Sequence, residues 1–346
     1  MSSQFTETGL RGGKDGIVQK RFNVFEGDAL TGNLVHVKVT HCGLCFTDTH
    51  FLKKDICLGH EPVGVVESLG PDCKQLKKGD VVQWGYLHSS CNQCEMCWTG
   101  KEVLCAKRSM YGYADKDLGG FSTGGVVRED YLFKVPDSIS PAHASVLSCG
   151  GVTVFSAMYN NNIKPTDRVG VVGLGGLGHL ALKTAHAWGC HVTAFSRTND
   201  KEEEARSFGA HEFVTTKGKE TLSVENKLDF LLVTVSGQVD WKMYYSVMKP
   251  RGRIIAMGVD HSGQGANLPY GQMLSQEMSF AGSLVASRQV HALMLEFFAR
   301  HAITPVIEEM EMTKENLETA IERLEKGDVR YRFVLYNKLD KAEPKI

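Results

Sequence analysis

Hydrophobic and polar residues alternate in short runs along the first part of the chain. Residues 34–40 (L-V-H-V-K-V-T) alternate, and further β-rich runs occupy residues 62–69 and 80–84. Gly70-Pro71 and Gly79-Asp80 separate these runs, and such dipeptides mark turns. The pattern therefore predicts a compact first domain built from short strands. Residues 1–16 are polar and rich in glycine, which is typical of a loosely held terminus.

From residue 167 onward the pattern changes to strands that alternate with helices. Apolar runs predict six strands, at residues 168–172, 191–195, 212–215, 229–235, 253–257 and 279–285. Helical patterns between them lie at residues 179–188, 201–208 and 239–248. This alternation is typical of a doubly wound α/β sheet.

The last part of the chain follows a sheet that is already complete. Two helices, at 289–301 and 314–326, precede a final strand at 330–336. We therefore expect this tail to return to the first domain. The predicted organisation is a first domain of residues 1–150 together with 289–346, and a second domain of residues 151–288.

A glycine-rich motif follows the first strand of the second domain. The strand leads into Gly173-Leu174-Gly175-Gly176-Leu177-Gly178, and a helix begins directly afterwards. In a βαβ unit the first glycine permits a tight turn and the second lets the backbone approach a pyrophosphate. The third permits close packing of helix on strand, and the phosphates meet the helix N-terminus. The motif therefore predicts a dinucleotide site at residues 173–178.

The end of the second strand indicates which dinucleotide binds. An NAD site places an acidic residue about 20 residues beyond the glycine motif, where it accepts from the ribose 2′-hydroxyl. Ser196 stands there instead, and Arg197 and Lys201 follow it. A carboxylate would repel a 2′-phosphate, whereas a hydroxyl and cations hold one. We predict NADP; the alternative is that Arg197 is a solvated surface residue.

Composition and charge argue against several classes of function. The 346 residues are 42% hydrophobic and 23% charged, which suits a globular protein of about two domains. The net charge is −1 and the basic residues are dispersed, so neither nucleic acid nor an anionic membrane is an expected partner. No run approaches the roughly 18 apolar residues of a membrane span, and residues 1–16 contain no apolar signal segment. We expect a cytoplasmic protein with a small-molecule substrate.

Four of the ten cysteines form one cluster. Cys91, Cys94, Cys97 and Cys105 follow the spacing C-x2-C-x2-C-x7-C. In a long chain without a secretory signal, metal binding is a better interpretation than disulfides. Four thiolates on one loop can close a tetrahedral structural zinc site. An iron–sulfur cluster is the rival interpretation, although no proline follows Cys105 and there is no second cluster run.

A second group of ligand-type residues lies between residues 42 and 61. It contains the thiol of Cys45, the imidazole of His60 and the carboxylate of Glu61. Cysteine, histidine and glutamate are the ligands of catalytic zinc, which keeps three protein ligands and one open position. Cys149 is a small buried residue when considered alone, but it is a candidate third ligand beside Cys45 and His60.

The motifs together resemble one protein family. C-G-L-C-F-T-D, G-H-E, the cysteine loop, S-C-G-G-V-T, G-L-G-G-L-G-H and D-V-R-Y-R-F-V occur in that order. The chain resembles the zinc-dependent medium-chain dehydrogenases, most closely the cinnamyl alcohol dehydrogenase branch, from about Gly32 to Leu335. The resemblance implies a GroES-like catalytic domain and a Rossmann domain, with an active-site zinc in the cleft between them. We also expect a homodimer.

The resemblance implies a role for each residue near the catalytic metal. Cys45, His60 and Cys149 correspond to the zinc ligands, whereas Cys42 does not. Glu61 corresponds to a glutamate that can approach or transiently bind the metal.

Four further positions take roles from the same resemblance. Thr47 and His50 correspond to the proton relay, and Asp48 to the carboxylate that orients His60, consistent with the usual partner of a ligating imidazole. Thr153 corresponds to a residue packed near the nicotinamide. Arg332 corresponds to a residue that reaches the cofactor phosphates.

Two departures from the family pattern concern substrate and cofactor. Phe46 replaces a cationic residue that faces the pyrophosphate. The segment between His50 and His60 is several residues shorter than usual, so we expect a wide channel mouth around residues 53–55, with Leu87, Trp84 and Phe46 as apolar candidates deeper in. The alternative is that the segment takes a shorter path and leaves the channel unchanged.

The predicted function is reversible interconversion of an aromatic or bulky aldehyde and its alcohol with NADP(H). Two zinc ions per chain are expected, one catalytic and one structural. Reduction of an activated C=C bond is an alternative, which the intact Thr47 and His50 disfavour. A zinc-stabilised protein that binds NADP without turnover is the non-enzymatic alternative.

Overall fold

A computed structural model describes residues 5–237, 239–258 and 265–338. Within these ranges the chain divides into two compact units. The first contains the described residues of Met1–Cys149 and Ser287–Ile346, and the second contains those of Gly150–Ala286. Every predicted site residue lies within the described ranges.

The strands, in chain order, are β1 (Thr6–Arg11), β2 (Val18–Asn23), β3 (Leu34–Leu44), β4 (Glu61–Leu69), β5 (Val81–Gln83), β6 (Leu87–Ser89), β7 (Ser109–Met110), β8 (Gly124–Arg128), β9 (Phe133–Lys134), β10 (Arg168–Val172), β11 (His191–Ser196), β12 (Glu212–Thr215), β13 (Leu228–Val233), β14 (Met248–Ala256), β15 (Ser279–Gly282), β16 (Ile307–Glu311) and β17 (Arg332–Tyr336).

The α-helices, in chain order, are α1 (Phe46–Thr49), α2 (Glu95–Trp98), α3 (Pro141–Val146), α4 (Val152–Asn160), α5 (Gly178–Trp188), α6 (Glu202–Ser207), α7 (Trp241–Tyr245), α8 (Tyr270–Ser275), α9 (Arg288–Arg300) and α10 (Lys314–Glu325). Among the described residues, none of these helices has the length and apolarity needed to cross a membrane.

The first unit is built around the long strand β3. Its alternating pattern buries the side chains of Val35, Val37 and Val39 completely. The main sheet has the order β16-β17-β3-β4-β5-β9, and β8 also pairs with β3. Strand β17 comes from the end of the chain and pairs antiparallel with β3. The last part of the sequence therefore forms part of the first sheet.

The N-terminal segment is more ordered than its polar sequence predicts. The expectation of a loosely held terminus is wrong for residues 6–16, whereas residues 1–4 lie outside the described residues. Strand β1 pairs antiparallel with β2, and the Leu10 amide donates to the Phe121 carbonyl at 2.7 Å. The Leu58 amide in turn donates to the Leu10 carbonyl at 2.9 Å. Backbone hydrogen bonds thus order this segment, and they need no hydrophobic side-chain pattern.

The second unit contains a six-stranded parallel sheet with the order β12-β11-β10-β13-β14-β15. All six predicted strands are present, in the doubly wound order. The predicted helix at 239–248 is shorter, because Asp240 caps its start and the strand pairing begins at its end. The Leu228 amide already donates to the Val247 carbonyl at 2.9 Å, and Met248 pairs with Leu228.

Candidate functional site

Two groups of metal-ligand side chains converge in the first unit. In each group, one ligand atom from every residue lies within 4.8 Å of the others. The first group, here called the catalytic cluster, consists of Cys45, His60, Glu61 and Cys149. The second group, here called the cysteine loop, consists of Cys91, Cys94, Cys97 and Cys105.

Strand pairing brings the members of the catalytic cluster together. Gly43 near the end of β3 pairs with Glu61 at the start of β4. Cys45 caps α1 directly after β3, so its thiol reaches the residues that open β4. Cys149 lies in a π-helical turn, Leu147–Gly151, which follows α3. Single π-helical turns occur often at functional sites, where they redirect a side chain.

Asp48 fixes the orientation of His60. Its Oδ1 lies 2.8 Å from Nδ1 of His60, and its Oδ2 accepts a hydrogen bond from the Cys45 amide at 3.0 Å. Burial opposes a charge on His60, but the Asp48 carboxylate holds the pKa of the imidazole well above its usual value. Nε2 of His60 is buried and has no hydrogen-bond partner among the described residues. This lone ring nitrogen faces the cluster in the way that a metal ligand requires.

The two cysteines of the catalytic cluster have opposite acidities. The contact with Cys149 lowers the pKa of Cys45 well below its usual value, and the same contact raises the pKa of Cys149. Of the two thiols, Cys45 therefore ionises more readily. Cys42, which the resemblance excludes as a ligand, is fully buried, and its Sγ contacts the Gly43 carbonyl at 3.5 Å.

Arg332 forms a short ion pair with both carboxylate oxygens of Glu61. Both side chains are almost completely buried. Burial raises the pKa of Glu61 to about 7, although Arg332 opposes this shift. The sequence predicts a cofactor contact for Arg332 but not this ion pair. The structure places Arg332 at the catalytic cluster, and its contact with cofactor phosphates stays a prediction.

The predicted proton-relay residues lie on and beside α1. Oγ1 of Thr47 is 3.7 Å from Sγ of Cys45. His50 is exposed at the helix end, and its ring meets that of Phe46 edge to face at 5.5 Å. Phe46 itself is 45% exposed. The hydroxyl, the imidazole and the Cys45 thiol thus lie on one short helical segment.

Two tyrosines that sequence reasoning missed contact the ring of His60. The ring centroids of Tyr86 and Tyr111 lie 5.6 Å and 5.2 Å from that of His60. The Tyr111 hydroxyl accepts a hydrogen bond from the Gly59 amide at 3.0 Å. Trp84 and Leu87, the predicted aromatic and apolar candidates, are buried.

The short segment between His50 and His60 is firmly packed at both ends. Phe51, Ile56 and Leu58 are buried, whereas residues 53–55 are exposed. Arg11 from β1 anchors this exposed turn through an ion pair to Asp55 at 3.0 Å. Residues 53–55 thus form the exposed turn of this segment, and the expectation that the deficit relative to the family falls there stays a prediction.

The cysteine loop fits a single metal ion. The sulfur atoms lie 3.5 Å apart in Cys91 and Cys105, 3.6 Å apart in Cys94 and Cys97, and 3.9 Å apart in Cys91 and Cys97. A tetrahedral zinc with Zn–S bonds of about 2.3 Å would separate its sulfurs by about 3.8 Å. In an iron–sulfur cluster at least some of the thiolates bind different iron atoms and lie farther apart, whereas all four sulfurs here lie within 4.8 Å of one another. The geometry therefore favours one ion over the rival cluster.

Ser90 and Tyr131 support the cysteine loop from outside. Oγ of Ser90 lies 3.2 Å from Sγ of Cys97, and the Tyr131 hydroxyl donates to Ser90 at 2.8 Å. The contact with Ser90 lowers the pKa of Cys97 to about 6. The Lys107 amide donates to Sγ of Cys105 at 3.3 Å. These contacts stabilise thiolates, and the spacing of the cysteines contains no signal for them.

The glycine motif has the shape that a dinucleotide requires. A Cβ atom on Gly178 would lie 1.8 Å from the Gly173 carbonyl oxygen, so a side chain there is excluded. A Cβ on Gly175 would meet no atom within 4 Å, which leaves open space in front of the backbone. The loop precedes the N-terminus of α5. The open space at Gly175 and the helix N-terminus fit a pyrophosphate.

The residues predicted to select the cofactor surround this loop. Ser196 ends β11, and Arg197 follows it with an exposed side chain. Nζ of Lys201 donates to the Leu174 carbonyl at 3.0 Å, so this ammonium group lies directly at the glycine motif. Thr153, predicted near the nicotinamide, is buried on α4 of the same unit.

Comparison with known families matches both units. Residues 32–137 match the alcohol dehydrogenase GroES-like domain, and residues 176–300 match the zinc-binding dehydrogenase family. The predicted fold class, a GroES-like domain with a Rossmann domain, is thereby confirmed.

Named relatives cover most of the chain. An aldehyde reductase, AdhA, from Synechocystis is 35% identical over 321 residues, which are 90% of this chain and 93% of the relative. Cinnamyl alcohol dehydrogenase 5 from Arabidopsis thaliana is 35% identical over 317 residues, which are 87% of each chain.

Solved structures of similar proteins share the fold. A cinnamyl alcohol dehydrogenase from Sorghum bicolor is 34% identical with a TM-score of 0.87, covering 96% of this chain and 97% of its own. One from Helicobacter pylori, complexed with NADP(H), is 26% identical with a TM-score of 0.86, covering 96% and 98%. The chain belongs to the zinc-dependent medium-chain dehydrogenases, in their cinnamyl alcohol dehydrogenase-like branch, and it is an oxidoreductase.

The two metal groups predict two zinc ions per chain with separable roles. Replacing Cys45 with Ser should remove one zinc and abolish activity while the fold survives, because structural zinc sites rather than catalytic ones supply folding free energy. Replacing Cys94 with Ser should remove the other zinc and destabilise its loop, since closed zinc sites contribute folding free energy. Elemental analysis and thermal unfolding of each variant measure both effects.

Cys73 provides the matched control, because its Sγ contacts only the Leu34 carbonyl in the described hydrogen bonds and belongs to neither group. The Cys73→Ser variant should retain both zinc ions. A wild-type protein that contains one zinc, or iron in place of zinc, contradicts the assignment.

Proposed function

We propose that the chain interconverts aldehydes and primary alcohols with NADP(H). The observation that carries the proposal is the convergence of Cys45, His60 and Cys149 around the unpartnered Nε2 of His60. Zinc held there would act as a Lewis acid on the substrate oxygen. NADP(H), held by the glycine motif, would supply or accept the hydride.

The chain's own residues would orient the ligands and move the proton. Asp48 holds Nδ1 of His60, so Nε2 keeps its direction toward the cluster. Thr47 and His50, on one short segment beside Cys45, would carry the proton between the reacting oxygen and solvent. Glu61 would bind the metal transiently, since it already lies within the catalytic cluster. Arg332 would balance the charge of Glu61 whenever that carboxylate is not bound to the metal.

The two units would have different functions in the reaction. The first predicted domain, residues 1–150 with 289–346, would carry the metal chemistry. The second, residues 151–288, would bind the cofactor. The family of the chain and the glycine geometry of the second unit support this division.

We propose aromatic aldehydes and alcohols as the substrate class. Tyr86 and Tyr111 pack against His60, and Phe51 meets Tyr111 at 5.2 Å and the exposed Tyr113 at 5.9 Å. Aromatic side chains thus extend from the catalytic cluster toward the surface. Rings stack well on such side chains. The names of the plant relatives, cinnamyl alcohol dehydrogenases, agree with this class.

Free cysteines and exposed apolar groups bear on localisation and assembly. All ten cysteines are free, which supports a reducing compartment and hence the cytoplasm.

Strand β15 forms one edge of the parallel sheet. Tyr270 and Leu274, one turn apart on α8, are 75% and 69% exposed. We propose that this face joins two copies of the chain.

Ser196 and Arg197 predict a preference for NADPH over NADH. Charge-assisted bonds to the 2′-phosphate should raise kcat/KM by about one to two powers of ten. The Ser196→Asp variant should invert the preference, because its carboxylate repels the phosphate and accepts from the ribose hydroxyl. Ser207→Asp, on the exposed side of α6, is the matched control for added charge. Equal kcat/KM values with both cofactors in the wild type would refute the prediction.

The aromatic surroundings of His60 predict a ranking of substrates. The values of kcat/KM with NADPH should increase from acetaldehyde to benzaldehyde and cinnamaldehyde, because only large apolar substrates fill the site. A fused-ring aldehyde should also be accepted, since residues 53–55 form a short exposed turn. The measurement is initial-rate NADPH oxidation with the four aldehydes. The prediction is wrong if acetaldehyde is the best of them.

The dimer predicts a mass of two chains in light scattering after size exclusion. Replacing both Tyr270 and Leu274 with Asp should shift the protein toward one chain, because charges oppose burial of that face. Tyr113→Asp, at an exposed tyrosine of the first unit, should leave the mass unchanged. A monomeric wild type at micromolar concentration would rule out this assembly.

A further inference from the structure

Three histidines form a cluster in the second unit, apart from both metal groups. The ring of His211 lies 4.7 Å from that of His191, at an angle of 21°, and 5.5 Å from that of His186, at 40°. Nδ1 of His191 is buried without a hydrogen-bond partner among the described residues. We call these three residues the imidazole cluster.

The imidazole cluster joins the far ends of the elements that form the cofactor site. Helix α5 begins at Gly178 of the glycine motif, and His186 lies in its last turn. Strand β11 begins at His191 and ends at Ser196. His211 directly precedes β12, which runs parallel to β11. Three elements thus meet at the imidazole cluster, and two of them reach the phosphate-binding region at their other ends.

Strand β12 connects His211 with the turn that selects the cofactor. β12 is a four-residue strand at the edge of the sheet. Beyond its end, the Thr216 amide donates to the Ser196 carbonyl at 2.8 Å, and the Lys217 amide donates to the Arg197 carbonyl at 3.1 Å. The backbone of the predicted 2′-phosphate site therefore depends on the attachment of this short edge strand.

His211 attaches the start of β12 by a pair of hydrogen bonds to one residue. Its amide donates to the Val192 carbonyl at 2.8 Å, and its Nδ1 accepts from the Val192 amide at 3.0 Å. A ring nitrogen accepts a hydrogen bond only without its proton. Protonation of His211 at Nδ1 therefore removes one of the two bonds and adds a charge beside two other imidazoles.

We propose that His211 is a positioning residue for the NADP(H) site, and that the imidazole cluster loosens β12 and weakens cofactor binding in mild acid. This inference rests on the proposed use of NADP(H). The proposed effect requires no metal, because the imidazole cluster and β12 all lie in the second unit.

The charged groups around His211 favour its neutral form in the attached state. His186 and His191 face it from α5 and β11, and Nη1 of Arg206 from α6 donates to its carbonyl at 3.1 Å. The carboxylate of Glu212 accepts from Thr193 and from the Glu225 amide. Burial lowers the pKa of His211, and the neighbouring imidazoles lower it further.

Because the pKa of His211 is lower when β12 is attached, acid favours the loosened state of this strand. In the loosened state we expect His211 to titrate near its ordinary value of about 6.5, whereas in the attached state its pKa is lower. Cofactor affinity is therefore complete above about pH 6.5 and falls as the pH decreases below it. A metal site is a poorer interpretation, because the rings of His191 and His211 stack at 21° and direct their in-plane lone pairs side by side. Among the described residues, the three histidines also do not form a group of converging ligand atoms.

The test measures NADPH binding to the full-length protein by fluorescence at pH 7.5 and pH 5.5. His211→Asn places an amide oxygen where Nδ1 stood, so it keeps an acceptor that does not titrate. The wild-type Kd should rise about three- to tenfold more between the two pH values than that of His211→Asn. His211→Ala should bind weakly at both pH values. The 2′-phosphate of the cofactor also titrates in this range. Its effect is the same for the wild type and the variants, so it cancels in this comparison.

A control and a second measurement separate the possible failures. His301→Asn, at an exposed histidine of the first unit, should behave as wild type. Hydrogen exchange should show faster opening of residues 191–196 and 211–216 in acid, relative to α9. Equal pH dependence in wild type and His211→Asn, or unchanged exchange of these segments, overturns the inference. Absence of NADPH binding at pH 7.5 would instead contradict the proposed function.

Discussion

The antiparallel pairing of β3 with β4 is the constraint on which the catalytic cluster depends. Because Gly43 pairs with Glu61, the end of one strand lies beside the start of the next. Cys45 directly follows β3 and His60 directly precedes β4, so their ligand atoms lie within 4.8 Å of each other. A shift of one residue in this register would turn the side chains to the opposite face of the sheet. Cys45 and His60, two of the predicted zinc ligands, therefore inherit their positions from backbone hydrogen bonds, and Asp48 completes the orientation of His60.

The last strand, β17, lies on the side of β3 away from β4. It carries Arg332, the counter-charge of Glu61. Strand β17 pairs with β3 opposite β4, and this pairing brings Arg332 to Glu61 across 271 residues of sequence. A buried carboxylate without its partner is strongly destabilising, since the remaining charge loses both water and its counter-charge. The pairing of β17 with β3 thus extends the sheet and also places Arg332 beside Glu61. This explains why the end of the chain belongs to the first unit rather than to the sheet that precedes it.

Features encoded in short spacings or in family motifs could be predicted from the sequence, whereas contacts between distant segments that no motif marks could not. The cysteine loop, the glycine motif and the six parallel strands each depend on residues that are near neighbours in sequence. Tyr86, Tyr111 and the pairing of Arg332 with Glu61 depend on which segments pack together, and periodicity contains no such information. The N-terminal strand was missed because backbone hydrogen bonds hold its polar residues. The imidazole cluster likewise brings together three histidines that share no motif.

Zinc K-edge X-ray absorption of the purified wild-type protein tests the central claim most directly, because it reports the ligands of every bound zinc. Four sulfurs at the cysteine loop and two at the catalytic cluster give an average of about three sulfurs per zinc, at about 2.3 Å, with nitrogen or oxygen in the remaining positions. The account predicts this mixed shell at full occupancy of both sites. An average of four sulfurs per zinc would show that the catalytic cluster binds no zinc, and would contradict the account.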